Sequence, residues 1–283
     1  VEVGRTDLYL MDTDYEANAP EDREVTYHLY GGSWENRLKQ ELLLGVGGIR
    51  LLRKLGLDPQ VYHCNEGHAA FTGLERLREY IERDNLDFTE ALEVVRASSL
   101  FTTHTPVPAG HDAFEEGLLR KYIGHYPARL KVDWETLMSL GKDNPLDAHE
   151  KFSMSNLAAN ISQNVNGVSM LHGKVSQDIF AHMYPGYLPE ELFVSYVTNG
   201  VHYPTWCARE WKPVHAKVFG PEFETHHYDK SCFEGIYNVS DEEVWGVKKG
   251  LKTKLINFVR ERLQDNTVSN HYSPTELVTI LIS

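Results

Sequence analysis

Residues 63–71 read HCNEGHAAF and place His63, Asn65, Glu66 and His68 directly after the apolar pair Val61-Tyr62. Such a cluster could hold a metal, move protons or hydrogen-bond a polyhydroxylated ligand. A metal centre on His63, Glu66 and His68 requires the two rings to converge. Residues five apart face opposite sides of a strand and lie about 140° apart on a helix, so only a turn could bring them together, and no metal ligand set is expected. A nucleophile is equally unsupported. There is no G-x-S-x-G elbow, and Cys64 sits where a partly buried structural thiol is the ordinary expectation.

Other clusters share this character. His104 and His111 flank TPVPAG, which taken alone reads as a loop stiffened by Pro106 and Pro108 with histidines making local hydrogen bonds. Asn199-Gly200 follows the apolar LFVSYVT, and Asn166, before Gly167, reads equally well as a turn former. LGVGGIR at 44–50 lacks the third glycine of a dinucleotide loop, having Arg50 there, and it follows a helical RLKQELLL, so close helix packing is expected. What remains is a set of amides and imidazoles with an occasional carboxylate. Such groups suit sugar hydroxyls, which need donors and acceptors in fixed directions without many desolvated charges. A carbohydrate ligand is expected.

The elements that must position these groups repeat one scheme of apolar run, polar cluster and helical pattern. LYLM leads into Asp12-Thr13-Asp14, and QVYH into residues 65–68 and a helix through Leu74, Leu77 and Ile81. ASSLFTT leads into His104, and LFVSYVT into Asn199. Alternation of this kind predicts a mostly parallel α/β sheet, whose ligands gather outside the carboxyl ends of the strands at a switch point. A helix is predicted over 241–263, with Ser240 and Glu243 as a capping box and Val244, Val247, Leu251, Leu255 and Phe258 as a core-facing stripe. NTVSNHYSP then reads as a turn region and ELVTILIS, 276–283, as a strand opening a further α/β unit.

At 283 residues and 41% hydrophobic content the chain can bury a large core. Its 28 basic against 41 acidic residues give a net charge of −13, which argues against nucleic acid or an anionic membrane as the main partner. The lysines at 248, 249, 252 and 254 read as a solvated helix face. Three cysteines, Cys64, Cys207 and Cys232, without metal-ligand spacing favour a reduced, cytoplasmic protein. No run approaches a membrane span, and VEVGRTD is unlike a signal peptide. The missing initiator Met and the abrupt end suggest a piece of a longer protein.

Read together, YHCNEGHAAFTGLERL (62–77), FTTHTPVPAGHDAF (101–114), NVNGVSMLHGKVSQ (164–177) and VTNGVHYPTW (197–206) resemble the α-glucan phosphorylases of the shorter bacterial kind, in the family's order. The intervening LYGGSWENRLKQELLLGVGGIRLLRKLGLDP is also similar, so the likeness covers nearly the whole chain. The resemblance implies a GT-B architecture of two Rossmann-like halves. Residues 1–200 would be the carboxyl-terminal part of the first, and 201–283 the crossover and the start of an incomplete second. It implies phosphorolysis of α-1,4-glucan or maltodextrin by orthophosphate, releasing glucose 1-phosphate with retention, with pyridoxal phosphate acting through its phosphate group. His104 would sit at the sugar, its side chain on the 6-hydroxyl and its backbone carbonyl facing the oxocarbenium-like charge. Asn199 would also hold the 6-hydroxyl, Val168 would line the glucose pocket, Glu66 and His68 would lie beside it, and Trp206 would pack near the cofactor.

The resemblance also places the Schiff-base lysine and the substrate-phosphate Lys/Arg set after residue 283, and the glycine-rich phosphate loop before residue 1. The fragment alone is expected to be inactive. YGGSWENR differs from the gating loop of larger phosphorylases, so gating does not transfer. The rival expectations are a nucleotide-sugar GT-B glucan synthase and a non-catalytic glucan-binding module. A homodimer and allosteric control stay open.

Overall fold

In the computed structural model, residues 1–29, 32–107, 110–228 and 230–265 are described, with 273, 275, 276 and 278. The chain divides into two compact units, Val1–Asn199 and Gly200–Ser283.

The first unit is built on a four-stranded sheet. Its strands follow a short hairpin, β1 (Glu2–Val3) and β2 (Thr6–Asp7), and are β3 (Tyr62–Asn65), β4 (Ser99–Thr102), β7 (Asn164–Gly167) and β8 (Val194–Tyr196). β5 (Ala113–Phe114) and β6 (Phe152–Ser153) form a separate antiparallel pair. The sheet order is β3-β4-β7-β8 and every pairing is parallel, with Cys64 beside Phe101, Phe101 beside Val165 and Val165 beside Val194. Parallel neighbours require crossovers, and helices supply them. Phe71–Arg83 and Phe88–Ala97 link β3 to β4, and Met170–Phe180 links β7 to β8. Sheet order matches chain order, so these strands contain no switch point, contrary to the expected placement of the site at one. The common carboxyl edge alone gathers the loops.

Local sequence explains the helices. On Phe71–Arg83 the spacing of Leu74, Leu77 and Ile81 gives one buried stripe, and all three are fully enclosed. Phe88–Ala97 starts at a complete capping box, Asp87 with Glu90. Phe101, Phe114, Phe152 and Phe180 complete the core, each worth roughly 1.5–3 kcal/mol of burial. The stretch expected to pack helices does so. Residues 43–54 are helical, and a Cβ on Gly45 would lie 2.7 Å from Phe71 Cβ. Arg50, in place of a phosphate-loop glycine, pairs with the buried Glu75, which Arg78 and the Tyr126 hydroxyl also satisfy.

The second unit holds helices Lys212–Phe219, Phe223–His226 and Asp241–Asp265, with Tyr203, His215 and Phe223 in mutual ring contact and Phe219 against His215 and Phe223.

Several expectations need correction. Residues 8–11 form no strand, since Leu8, Tyr9 and Leu10 are exposed and the adjacent hairpin ends at Asp7. The stripe on Asp241–Asp265 is not core, because Leu255 and Phe258 are more than half exposed. The capping box there is half made. The Glu243 N–H donates to Ser240 Oγ, but the Glu243 carboxylate is drawn to Lys217. Asn166 is a strand residue, 6% exposed, and not a turn former. The turn region 266–274 lies outside the described residues except Ser273. Most of the strand expected at 276–283 does too, and its two described residues, Glu276 and Val278, are helical.

Candidate functional site

Four of the six site residues follow the carboxyl ends of four adjacent strands. Glu66 succeeds β3, His104 lies two residues beyond β4, Val168 succeeds β7, and Asn199 lies three beyond β8. The ladders continue past the strands and fix these loops: Glu66 N–H donates to the Thr102 carbonyl, Thr103 N–H to the Asn166 carbonyl, and Asn199 N–H to the Val168 carbonyl at 3.2 Å.

Beneath the loops a polar bar crosses the sheet. Thr102 Oγ1 donates to Asn166 Oδ1 at 3.0 Å and meets His63 Nε2 at 2.7 Å. A hydroxyl has one proton to give, so His63 Nε2 is the donor. Asn166 Nδ2 then donates to the Gly167 carbonyl. His63 and Asn166 are therefore structural supports for the edge.

Glu66 is the most constrained residue of the edge. Its backbone stands at φ 66° and ψ 173°, a region that belongs essentially to glycine. The return is geometric: its Oε1 accepts the His104 N–H at 2.5 Å and the Thr105 hydroxyl at 2.9 Å. One carboxylate thereby ties the end of β3 to the loop after β4. The His104 ring is half-buried, and its Nε2 has no protein partner among the described residues.

His68 faces a cluster that the sequence did not single out. Its Nδ1 lies 2.6 Å from Arg37 Nη2 and 3.1 Å from Asp112 Oδ2. Arg37 also contacts Asp112 at 2.7 Å and the buried Glu41 at 3.0 Å. Burial, with the Asp112 carboxylate beside it, pushes the Glu41 carboxyl up to about 9, so that it is protonated at neutral pH. Burial opposes ionisation of Asp112 as well, but hydrogen bonds from His68, Arg37 and Glu41 outweigh it and hold that carboxyl well below its usual range. Ligand atoms of Glu41, His68 and Asp112 lie within 4.8 Å of one another, yet the Arg37 guanidinium already provides a cation among them. His63, Glu66 and His68 go to three different sets of partners.

His111 hydrogen-bonds Ser155 Oγ through Nδ1, and burial pulls its pKa below the ordinary value, which keeps it neutral. Cys64 is buried, and burial pushes its thiol up to about 11, as suits a structural cysteine. Trp206 belongs to the second unit and is 77% exposed at the end of the short helix Tyr203–Trp206. Of the residues missed, Asp112 lies next to His111 within FTTHTPVPAGHDAF, and Arg37 and Glu41 carry an i,i+4 charge signal. Nothing in the sequence linked them to His68, 31 residues from Arg37 and 44 from Asp112.

A sequence model of the carbohydrate phosphorylases matches residues 52–272, which include all six site residues. The chain belongs to the carbohydrate phosphorylase family. A maltodextrin phosphorylase of Thermococcus litoralis is 39% identical over 94% of this chain and 31% of its own length. A glycogen phosphorylase of Mycobacterium tuberculosis is 37% identical over 98% of the chain and 33% of its own. One from Aquifex aeolicus is 32% identical over 98% of the chain and 40% of its own. The chain thus spans 31–40% of the length of these relatives. Among its described residues no helix is long and apolar enough to cross a membrane.

Proposed function

We propose that this chain supplies the sugar-facing wall of an α-glucan phosphorylase, and that the full-length enzyme converts α-1,4-glucan or maltodextrin and orthophosphate into glucose 1-phosphate. On this reading Val1–Asn199 belongs to the first domain of a GT-B fold, and the second unit leads into the other. The observation that carries the proposal is the carboxyl edge of β3, β4, β7 and β8, which presents Glu66, His104, Val168 and Asn199 from four neighbouring strands in a chain of this family. His104 and Asn199 hold the sugar 6-hydroxyl, and Val168 lines the pocket.

The geometry gives Glu66 a defined part. By accepting from His104 N–H and Thr105 Oγ1 it holds the chain on both sides of the His104 carbonyl, so that dipole needs no reorganisation as positive charge develops at the anomeric carbon. His68, held against Asp112 and Arg37, keeps a set orientation beside the sugar.

Pyridoxal phosphate would supply an acid–base phosphate when bound. Trp206 offers an exposed indole wall. Of the second unit's lysines, Lys212, Lys217 and Lys254 are paired with Glu224, Glu243 and Glu210, and Lys248, Lys249 and Lys252 are exposed. These residues do not by themselves make a cofactor site.

Release of glucose 1-phosphate from maltodextrin plus phosphate, followed in the full-length enzyme with His104→Ala beside wild type, tests the proposal. Product from the wild type and a fall of roughly 100-fold or more in the variant are expected, the scale of losing a preorganised transition-state contact. A wild type that forms no product, or that turns over a nucleotide sugar instead, overturns it.

A further inference from the structure

His172 lies in the first turn of Met170–Phe180, is 8% exposed, and belongs to none of the groups discussed so far. Its Nδ1 accepts the backbone N–H of Val168 at 3.1 Å. An imidazole nitrogen that accepts carries no proton, so the ring proton sits on Nε2, which has no protein partner among the described residues. A buried ring with one bonded nitrogen is a costly way to fill space, since an apolar side chain would need no partner. What the ring adds is control of residue 168.

The surroundings press it there. The Ser169 side chain caps the helix by accepting the His172 N–H, and the Ser169 carbonyl accepts from Gly173. A Cβ on Gly167 would come within 3.0 Å of His172 Nδ1, so glycine at 167 permits the ring's close approach to the strand end. The Val168 carbonyl in turn accepts the Asn199 N–H. One residue thereby carries two contacts, with His172 at its N–H and Asn199 at its carbonyl, on the two peptides that flank the Val168 Cα.

We infer that His172 is a positioning residue of the glucose pocket: through Nδ1 it holds the Val168 backbone, and through that backbone it sets the register of Asn199. This rests on the proposed function for the part played by Val168 and Asn199, whereas the contact itself does not depend on that reading. His172 acts through two other residues and not on the substrate.

The test uses the full-length enzyme. In His172→Asn a side-chain carbonyl can occupy the place of Nδ1, and in His172→Gln it reaches the place of Nε2. The Asn variant is expected to keep kcat/KM for glucose 1-phosphate, measured in the direction of glucan synthesis, within about threefold of wild type. The Gln variant is expected to lose roughly tenfold, more in KM than in kcat, the size of one lost hydrogen bond at a binding surface. Hydrogen exchange resolved at the Val168 amide needs no variant, and slow exchange in the wild type is expected. Equal losses in both variants, retention by Gln but not by Asn, or exchange of the Val168 amide at the unprotected rate would overturn the inference. A wild type that neither makes nor cleaves glucan removes the proposed function and this role with it. An active wild type with variants that fall alike removes the role of His172 alone.

Discussion

The backbone of Glu66 and the carboxyl of Glu41 show how much of this site is held against local preference. A non-glycine residue at φ 66° and ψ 173° costs on the order of 1–3 kcal/mol, and the two hydrogen bonds from His104 and Thr105 offset it. Glu66→Gly releases that strain and removes both bonds. Thermal unfolding should therefore move little, within about 1 kcal/mol, while phosphorolysis falls at least tenfold. Marked destabilisation with activity retained would show that Glu66 serves folding only. Glu41 gives a pH test. A carboxyl whose pKa rises on folding from its ordinary 4.5 to about 9 binds more protons folded than unfolded between those values, so its contribution to stability declines as pH rises across that window. Glu41→Gln, neutral at every pH, should stabilise the protein at pH 8 by roughly 1–3 kcal/mol, with the gain shrinking towards pH 4.5. Denaturant unfolding at the two pH values reads this. A variant less stable at pH 8 would mean that Glu41 is ionised beside Arg37.

At the scale of elements, the strand-and-loop grammar was legible and its enforcement was not. β3, β4 and β8 could be read because short apolar runs ended in polar clusters, and Glu66, His104 and Asn199 stand within three residues of those strand ends for that reason. β7 was harder to see, because NVNG offers one apolar residue and two asparagines. Its register comes from pairing on both sides and from Asn166, whose side chain completes the bar from His63 through Thr102. The run at 8–11 was apolar enough to suggest a strand, but Leu8 alone is paired, with Val1 across the hairpin, and none of the described strands pairs with residues 9–11. Glu66 was chosen for its chemistry, yet its strained backbone depends on tertiary partners near residue 104 and has no local signature. Packing of the helical segments is likewise testable. Gly45→Ala would drive a Cβ to 2.8 Å from the Thr72 backbone nitrogen as well as against Phe71, and should lower stability by about 1–3 kcal/mol in an unfolding titration. An unchanged midpoint would mean that the two segments separate more easily than their close approach implies.

Across the whole molecule, the parallel sheet and the hydrogen-bonding groups along its carboxyl edge belong together. Sugar hydroxyls are read by directional dipoles, and a rigid strand edge is a good place to hold them. The aromatic cluster of the second unit and the half-exposed Leu255 and Phe258 were not predictable from periodicity, since a helical stripe announces an apolar face without saying what covers it. In the proposed function His104 and Asn199, both of the first unit, take the 6-hydroxyl of the transferred glucose. The most direct measurement compares kcat/KM for glucose 1-phosphate and its 6-deoxy analogue in the full-length enzyme, for wild type, His104→Ala and Asn199→Ala. A site built to bond that hydroxyl should discriminate against the deoxy sugar by roughly 100-fold or more, because buried groups are left unpaired. Each variant should lose most of that discrimination. A wild type indifferent to the 6-hydroxyl, or variants that discriminate as well as wild type, would contradict the account.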